Sequence, residues 1–364
     1  MIKKNIIVGL SGGVDSAVTA HLLKKEGHNV KALFMKNWEA DDDDEYCSSK
    51  QDLIDAISVA EKIGIDIEVV NFAKEYKEKV FNLFLSDLKK GVTPNPDILC
   101  NSEIKFEAFL SHAIKLGADF IATGHYANVV EKDGLFFLTK GIDSSKDQSY
   151  FLHKLNQKQL SKSIFPLGQY LKSEIREIAK KNGLHNFDRK DSTGICFIGE
   201  RPFTEFLSQF IKKNPGDIVS VEGEKVGKHE GLTFYTIGQR QGLHIGGTAQ
   251  GNGEPWFVVE KNLKENVLVV AQGRNHPALF HDALIAENLH MISNPFPIKR
   301  VIGAKTRYRQ PDAACQIDQM EKNQLTSLFG QKQWAITPGQ YVVFYDSNIC
   351  LGGGVIHSAY NSFN

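Results

Sequence analysis

The chain has 364 residues, of which 41% are hydrophobic and 24% charged, and its formal net charge is zero. This is the composition of a globular protein large enough for two or three domains, and the zero net charge excludes a global field that attracts nucleic acid or membranes. No apolar run approaches the roughly 18 residues of a membrane span, and the N-terminus shows no secretory signal pattern. We therefore expect a cytoplasmic protein without membrane contact.

Strand-like and helix-like segments alternate from the N-terminus to about residue 198. The predicted strands are 5–10, 29–35, 67–72 and 119–123, and the predicted helices are 16–26, 50–63, 73–90, 103–116 and 172–183. This alternation predicts an α/β domain with a doubly wound parallel sheet, whose ligands bind at the C-terminal ends of the strands. We place this domain at residues 1–199.

The first strand leads into the loop Ser11-Gly12-Gly13-Val14-Asp15-Ser16, which a helix follows. Glycines let backbone N–H groups approach an anion, and the helix N-terminus adds a partial positive charge, so this arrangement predicts phosphate binding. The loop has neither the lysine of a Walker A motif nor the glycine spacing of dinucleotide sites. The alternative is an ordinary strand–helix turn made of small residues.

Asn95-Pro96-Asp97-Ile98-Leu99-Cys100-Asn101 is the next motif with chemical content. Prolines hold the segment before it extended, and a helix is predicted to begin near Asn101 or Ser102. Cys100 would then lie near a helix N-terminus, which lowers a thiol pKa, and Asp97 would accept a hydrogen bond or a proton. The alternative is a buried cysteine beside an aspartate that only stabilises a turn.

Cys196 occupies a loop of small residues, Asp191 to Gly199. The chain has five cysteines and no C-x-x-C pair, which disfavours both a disulfide scaffold and a zinc site. Two loop cysteines in one domain with a phosphate loop suggest sulfur transfer, in which one carries a persulfide and the other releases the sulfur through a transient disulfide. Cys315 and Cys350 are predicted to be packing residues.

Beyond residue 199 the pattern changes to a short helix, 203–212, and then to short strand-like pieces rich in glycine. From about 275 the segments are β-like, which predicts a small barrel or sandwich. We place a small central domain at 200–274 and a C-terminal β-barrel at 275–364. Residues 299–309 hold five positive charges and no acid. They form either an RNA-binding strand or the solvated face of an ordinary strand.

These motifs resemble the bacterial tRNA-specific 2-thiouridylase (MnmA) family, within the superfamily of PP-loop ATP pyrophosphatases. The matching strings span most of the chain: GLSGGVDS at 9–16, TPNPDILCN at 93–101, ATGHYA at 122–127, KDQSYFL at 146–152, STGICFIG at 192–199, GLTFYTIGQRQGL at 231–243 and KTRYRQ at 305–310. The resemblance implies that the first domain is of the adenine nucleotide α-hydrolase-like type. It also implies that the C-terminal barrel contacts tRNA.

The resemblance further implies roles for individual residues. The residues implied to bind ATP are Gly9, Leu10, Ser11, Gly12, Gly13, Val14, Asp15, Ser16, Met35 and Gly124. Cys196 would carry the persulfide, with Cys100 as the second catalytic cysteine and Asp97 handling protons. The residues implied to contact tRNA are Asn95, Pro96, Asp97, His125, Lys146, Asp147, Gln148, Arg307, Tyr308 and Gln340. His125 alone is equally consistent with a structural histidine.

The implied reaction is ATP-dependent 2-thiolation of the wobble uridine in the anticodon loop of tRNA. ATP would bind with Mg²⁺, without a dedicated protein metal site, and a sulfur-relay protein would supply the persulfide. A disulfide between the two cysteines would form and be reduced in each cycle, and we expect a monomer. Two alternatives remain: an amidating ligase that uses ammonia, and a non-catalytic tRNA-binding or sulfur-carrier protein.

Overall fold

The computed structural model describes residues 2–39, 48–190, 202–246 and 253–362. Over the first 190 residues the elements are β1 (Asn5–Gly9), α1 (Val14–Lys25), β2 (Asn29–Lys36), α2 (Ser48–Ile63), β3 (Ile67–Asn71), α3 (Ala73–Tyr76), a π-helical segment (Lys77–Phe81), α4 (Asn82–Lys89), α5 (Pro96–Leu99), a second π-helical segment (Cys100–Ala108), α6 (Phe109–Lys115), β4 (Phe120–Ala122), β5 (Ala127–Lys132), β6 (Leu135–Lys140), α7 (Ser149–Leu152), α8 (Gln157–Leu160), β7 (Ser163–Ile164), a 3₁₀ turn (Pro166–Gln169) and α9 (Lys172–Lys181).

The remaining elements form a central and a C-terminal region. They are α10 (Phe203–Ser208), β8 (Gly216–Ser220), β9 (Lys225–His229), a 3₁₀ turn (Leu232–Phe234), β10 (Trp256–Asn262), β11 (Val267–Gln272), a 3₁₀ turn (Pro277–Leu279), β12 (Phe280–Met291), β13 (Val301–Lys305), β14 (Ala313–Glu321), β15 (Gln324–Trp334), β16 (Tyr341–Asp346) and β17 (Ile349–Tyr360). No helix in the described part of the chain is long and apolar enough to cross a membrane.

The N-terminal domain is built on a five-stranded sheet with the order β3-β2-β1-β4-β7, in which every pairing is parallel. A parallel sheet is covered on both faces, so its strands read as continuous apolar runs. In β1, Ile6, Ile7 and Val8 are all nearly inaccessible, and Ile7 packs on the opposite face from its two neighbours. The predicted doubly wound α/β domain is therefore confirmed, and its strands end at one edge.

A four-stranded sheet with the order β10-β11-β8-β9 follows in the central region. The C-terminal region is a closed barrel with the order β12-β15-β14-β13-β16-β17, closed by the antiparallel pairing of β12 with β17. Apolar side chains fill its interior, among them Phe344 and Cys315. The predicted barrel is confirmed, and both Cys315 and Cys350 are buried packing residues.

A hairpin from the N-terminal part of the chain joins this barrel sheet. β5 and β6 pair with each other, and β6 pairs with β17 through Ile349 opposite Thr139 and Cys350 opposite Leu138. Asp133 and Gly134 turn the hairpin with positive φ angles of 53° and 76°. Asp-Gly turns of this kind are a strong hairpin signal, although β5 and β6 are not among the predicted strands. The hairpin fixes the barrel against the domain that carries the phosphate loop.

Candidate active site

The loop Ser11–Ser16 lies between the C-terminal end of β1 and the N-terminus of α1. The Ser11 backbone N–H donates to Ser16 Oγ at 3.1 Å, and that hydroxyl donates to the Gly13 carbonyl at 3.0 Å. Gly12 has φ +79°, and a Cβ there would lie 2.5 Å from the Asp52 carbonyl oxygen, so only glycine fits. Gly13 is the N-cap of α1 and no side chain caps the helix. The first-turn N–H groups are therefore available to an anion.

Of the other residues expected to bind ATP, Gly124 packs against this loop and Met35 packs against Gly9 just before it. A Cβ added at Gly124 would lie 2.8 Å from the Asp15 carbonyl carbon, and one added at Gly9 would lie 3.2 Å from Met35 Cε. Gly9 ends β1, Met35 is the last residue but one of β2, and Gly124 follows β4 by two residues; the three strands are neighbours in the sheet. The fold thus brings the residues expected to bind nucleotide phosphates and adenosine to one edge.

Asp15 is held by two side chains that are not among the predicted site residues, Lys172 and Tyr126. The Lys172 ammonium donates to both carboxylate oxygens at 2.7 and 2.8 Å, and the Tyr126 hydroxyl donates to Oδ1 at 2.7 Å. Lys172 is only 9% exposed. A charge-assisted pair of this kind fixes the Asp15 carboxylate and neutralises it beside an anion site. Lys172 opens α9, far from the loop in sequence, so no local signal connects them.

The predicted start of the helix near Asn101 or Ser102 is wrong, because α5 begins at Pro96. The Asn95 side chain accepts a hydrogen bond from the Asp97 N–H at 3.2 Å, and Pro96 takes the first helical position. Asparagine at the N-cap followed by proline is a favourable helix start. Cys100 therefore lies a turn inside the helical segment and is 2% exposed, whereas Asp97 stays half-buried in the first turn.

Contacts between distant motifs assemble around this segment. The Gln340 side chain donates to the Thr93 carbonyl at 2.9 Å, just before Asn95. Asn101 Nδ2 donates to the Phe151 carbonyl at 3.4 Å, and the ring centroids of Phe151 and Tyr308 are 4.4 Å apart. The motifs at 93–101, 146–152 and 305–310 are thus connected by these contacts.

Several expected RNA contacts face the protein instead of solvent. Asp147 is 3% exposed and its carboxylate accepts from the N–H groups of Gly141 and Ser149 and from Lys305 Nζ at 3.4 Å. Gln148 exchanges hydrogen bonds with the Tyr126 backbone at 2.8 and 3.0 Å. These side chains stabilise the loop that presents Lys146.

His125 is also an interior residue. Its Nδ1 lies 2.7 Å from the Thr123 hydroxyl, and its ring packs between Phe106 and Phe165. Burial, helped by nearby Lys105, lowers the pKa of His125 well below its ordinary value. The imidazole is therefore neutral at physiological pH. This geometry matches the structural alternative for His125 given by the sequence.

The basic run 299–309 does not form one strand face. β13 covers only Val301–Lys305, Lys299 pairs with Asp318, and Arg300 pairs with Asp346. Lys305 is 7% exposed. The alternative of one solvated strand face is wrong, because β13 ends at Lys305 and the Lys305 side chain is itself buried.

Arg307 joins the central region to the barrel. Its guanidinium donates to the carbonyls of Ile237 and Ala335, both at 2.8 Å, and to the Thr337 hydroxyl at 3.0 Å. It also lies over the Trp334 ring, 5.2 Å from the centroid. Burial lowers the pKa of Arg307 from its ordinary value. The motif at 231–243 is therefore joined to the barrel through the hydrogen bond from Arg307 to the Ile237 carbonyl.

Cys196, its loop at 191–199 and the acidic stretch at 41–45 lie outside the described residues. Within the described ranges, no group of three or more histidine, cysteine, aspartate or glutamate side chains could hold a metal ion.

Comparison with known proteins gives matches along nearly the whole chain. Family models described as "tRNA methyl transferase HUP domain", "tRNA methyl transferase PRC-barrel domain" and "Aminomethyltransferase beta-barrel domain" match residues 4–200, 204–272 and 281–356. The chain is 63% identical to the tRNA-specific 2-thiouridylase MnmA of Methylobacillus flagellatus, covering 98% of this chain and all of that protein. It is 59% identical to the protein of the same name from Nitrosomonas europaea, covering 98% and 99%.

Among solved structures, a 4-thiouridine synthetase–RNA complex with bound ATP matches at a TM-score of 0.35 and 19% identity. The match covers 57% of this chain and 49% of that one.

Proposed function

Because the chain belongs to the tRNA-specific 2-thiouridylase family, we propose that it replaces the C2 oxygen of the wobble uridine of tRNA with sulfur, at the expense of ATP. One observation supports this most directly. The helical segment that starts at Pro96 carries Asp97 and Cys100 and continues to Phe109, whose ring would lie 3.4 Å from a Cβ at Gly9. One helical segment therefore carries the expected uridine site and packs against Gly9 at the end of β1, just before the phosphate loop.

The residues at the sheet edge suit ATP. The segment from Gly9 to Ser16 would hold its phosphates, mainly through the N–H groups at the start of α1, while Met35 and Gly124 would border the adenosine. Mg²⁺ bound with ATP would offset the charge of the phosphates. Lys172 and Tyr126 keep the Asp15 carboxylate neutralised and oriented beside them.

The chemistry divides into activation and sulfur transfer. The C2 oxygen of the uridine attacks the α-phosphate of ATP, so the base becomes adenylated and pyrophosphate leaves. The terminal sulfur of a Cys196 persulfide then attacks C2, and AMP leaves with the former C2 oxygen. The Cys100 thiolate attacks the Cys196 sulfur, which frees the thiocarbonyl and leaves a Cys100–Cys196 disulfide. An external thiol must reduce that disulfide, and Asp97 would take up and return the proton.

The tRNA-contacting residues fall into two groups. Asn95, Pro96 and Asp97 would meet the target uridine, which an unpaired loop can offer at modest cost. Gln340 bonds to Thr93 just before that helix start, while Tyr308 contacts Phe151 and the Lys146 carbonyl. We assign Lys146, Tyr308 and Gln340 to contacts with the anticodon loop. Because His125, Asp147, Gln148 and Arg307 bond mainly to the protein, we assign their side chains to shaping this surface. The protein would act in the cytoplasm as a monomer, with a sulfur-relay protein as donor.

The domain boundaries proposed with this function are 1–199 for ATP and catalysis, 200–274 for the central domain and 275–364 for the barrel.

ATP turnover tests the activation step. We expect AMP and pyrophosphate to form in the presence of unmodified tRNA and Mg²⁺, and tRNA lacking a wobble uridine to give only background. Turnover to ADP, or turnover indifferent to tRNA, would contradict adenylation of the base.

A further inference from the structure

Two side chains hold the backbone carbonyl of Gly12 in the phosphate loop. The Gly12 carbonyl oxygen accepts a hydrogen bond from Asn186 Nδ2 at 2.8 Å and another from Arg189 Nη1 at 3.4 Å. Both donors follow α9, far from the loop in sequence. We propose that Asn186 and Arg189 are positioning residues that orient the Gly12–Gly13 peptide for phosphate binding.

The planarity of the peptide bond carries the argument. In a trans peptide the C=O and the following N–H point in opposite directions. With the Gly12 carbonyl drawn outward to Asn186, the Gly13 N–H points toward the inner side of the loop, where the first turn of α1 begins. Glycine peptides in the left-handed region flip at little steric cost, and Gly12 has φ +79°. An external anchor is therefore needed to keep one orientation.

The two anchors are themselves fixed. Asn186 is 3% exposed, and its Oδ1 is buried without a hydrogen-bond partner among the described residues. An unpaired buried acceptor costs stability. The side-chain amide of Asn186 is therefore explained by the hydrogen bond that its NH₂ group donates to the Gly12 carbonyl. The Arg189 guanidinium pairs with Asp52 and, at 2.6 Å, with Asp55, both on α2. Its single positive charge thereby also offsets part of the negative charge of two carboxylates near the proposed phosphate site.

The inference rests on the proposed nucleotide binding at this loop, and direct binding measurements test it without the sulfur chemistry. Isothermal titration of the full-length protein with inorganic pyrophosphate, ATP and adenosine compares wild type with Asn186→Ala. We expect the affinities for pyrophosphate and ATP to fall about tenfold, which corresponds to roughly 1.4 kcal/mol. The affinity for adenosine, which has no phosphate, should change less than about twofold.

Asn182→Ala is the matched control, because Asn182 Nδ2 also donates to a backbone carbonyl, that of Ile178 at 2.8 Å, but on α9 itself. It should leave all three affinities unchanged. If Asn186→Ala loses its cooperative unfolding transition, the same titrations are made with Arg189→Lys. This variant keeps a positive charge beside Asp52 and Asp55. We expect the same selective loss of pyrophosphate and ATP affinity.

A folded Asn186→Ala or Arg189→Lys protein with wild-type affinity for pyrophosphate would overturn the positioning role. So would an equal loss for adenosine, which would indicate general damage to the domain. If instead the wild-type protein binds pyrophosphate and the variants lose affinity as expected, but the wild-type protein never thiolates tRNA, the proposed function fails and this inference stands.

Discussion

The Gln340 side-chain amide donates a hydrogen bond of 2.9 Å to the carbonyl oxygen of Thr93. The Thr93 N–H in turn donates to the Pro338 carbonyl at 2.9 Å, so the two segments exchange hydrogen bonds. Gln340 belongs to a turn of the C-terminal barrel, and Thr93 precedes the residues that start the Cys100 helix. The barrel therefore fixes the stretch of chain that leads into the helical segment carrying Cys100.

This docking predicts a defect for Gly339→Ala. Gly339 has φ +88°, and a Cβ there would lie 2.8 Å from both the Thr93 N and Val92 Cβ. The barrel turn would have to move away from Thr93, and we expect kcat for thiolation to fall at least tenfold while the KM for ATP stays constant. Gly330→Ala is the control, because its Cβ would meet only ordinary contacts, the nearest at 3.7 Å. Equal kinetics for the two variants would show that the docking has no part in catalysis.

Arg307 and Arg309 should respond differently to replacement by alanine. Because the Arg307 guanidinium bonds to two carbonyls and a hydroxyl, Arg307→Ala should lower the free energy of unfolding by about 2–3 kcal/mol. The salt dependence of tRNA binding should stay the same. Arg309 is exposed, and Arg309→Ala should reduce the slope of log K against log salt by about 0.7–0.9 at unchanged stability.

Urea unfolding and filter binding at several salt concentrations measure both quantities. A reduced salt slope in Arg307→Ala, with stability intact, would return Arg307 to the direct phosphate contacts that the resemblance implies.

The parallel sheet, the phosphate loop and the barrel were predictable because their signals are local. Ile6-Ile7-Val8 followed by paired glycines indicates a buried strand that ends in an anion-binding turn. The Asn95-Pro96 helix start is also a local signal, since both residues have strong positional preferences, although the predicted start near Asn101 or Ser102 lies later. The Lys172–Asp15 pair and the Arg307 contacts were not predictable, because they depend on how remote segments pack. The burial of Lys305 belongs to the same class.

The buried His153 predicts a loss of stability in acid. Burial is the main cause that lowers its pKa to about 3, whereas an unfolded histidine titrates near pH 6.5. Between these values the unfolded chain binds one more proton, so stability falls as the pH falls, by about 1.4 kcal/mol per pH unit. From pH 7 to pH 5 the contribution of His153 is a loss of about 2 kcal/mol.

Urea unfolding at pH 7 and pH 5 checks this for wild type and His153→Asn, in which the loss should be smaller by that amount. His357→Asn, at an exposed histidine whose side chain is 57% accessible, should behave as wild type. An identical pH dependence in His153→Asn would show that His153 is not the group responsible.

Serine substitutions at Cys100 and Cys196 should affect activity, whereas a serine substitution at Cys315 should affect stability. Cys196→Ser and Cys100→Ser should each abolish 2-thiouridine formation and leave tRNA affinity within about twofold, because one sulfur atom adds little to an RNA interface. Cys315→Ser, at a buried cysteine inside the barrel, should lower stability and keep activity per folded molecule. Gel shift and thiolation assays on the same preparations give both readouts. Loss of tRNA binding in Cys196→Ser would count against the persulfide assignment.

The central claim is the identity of the group transferred to tRNA, and mass spectrometry of the nucleosides tests it most directly. Unmodified tRNA is incubated with the protein, ATP, Mg²⁺ and a persulfide donor, then digested. We predict 2-thiouridine at the wobble position, dependent on ATP and absent with Cys196→Ser. An amino-substituted base formed with ammonia, or a methylated base formed with a methyl donor, in place of 2-thiouridine would contradict the account.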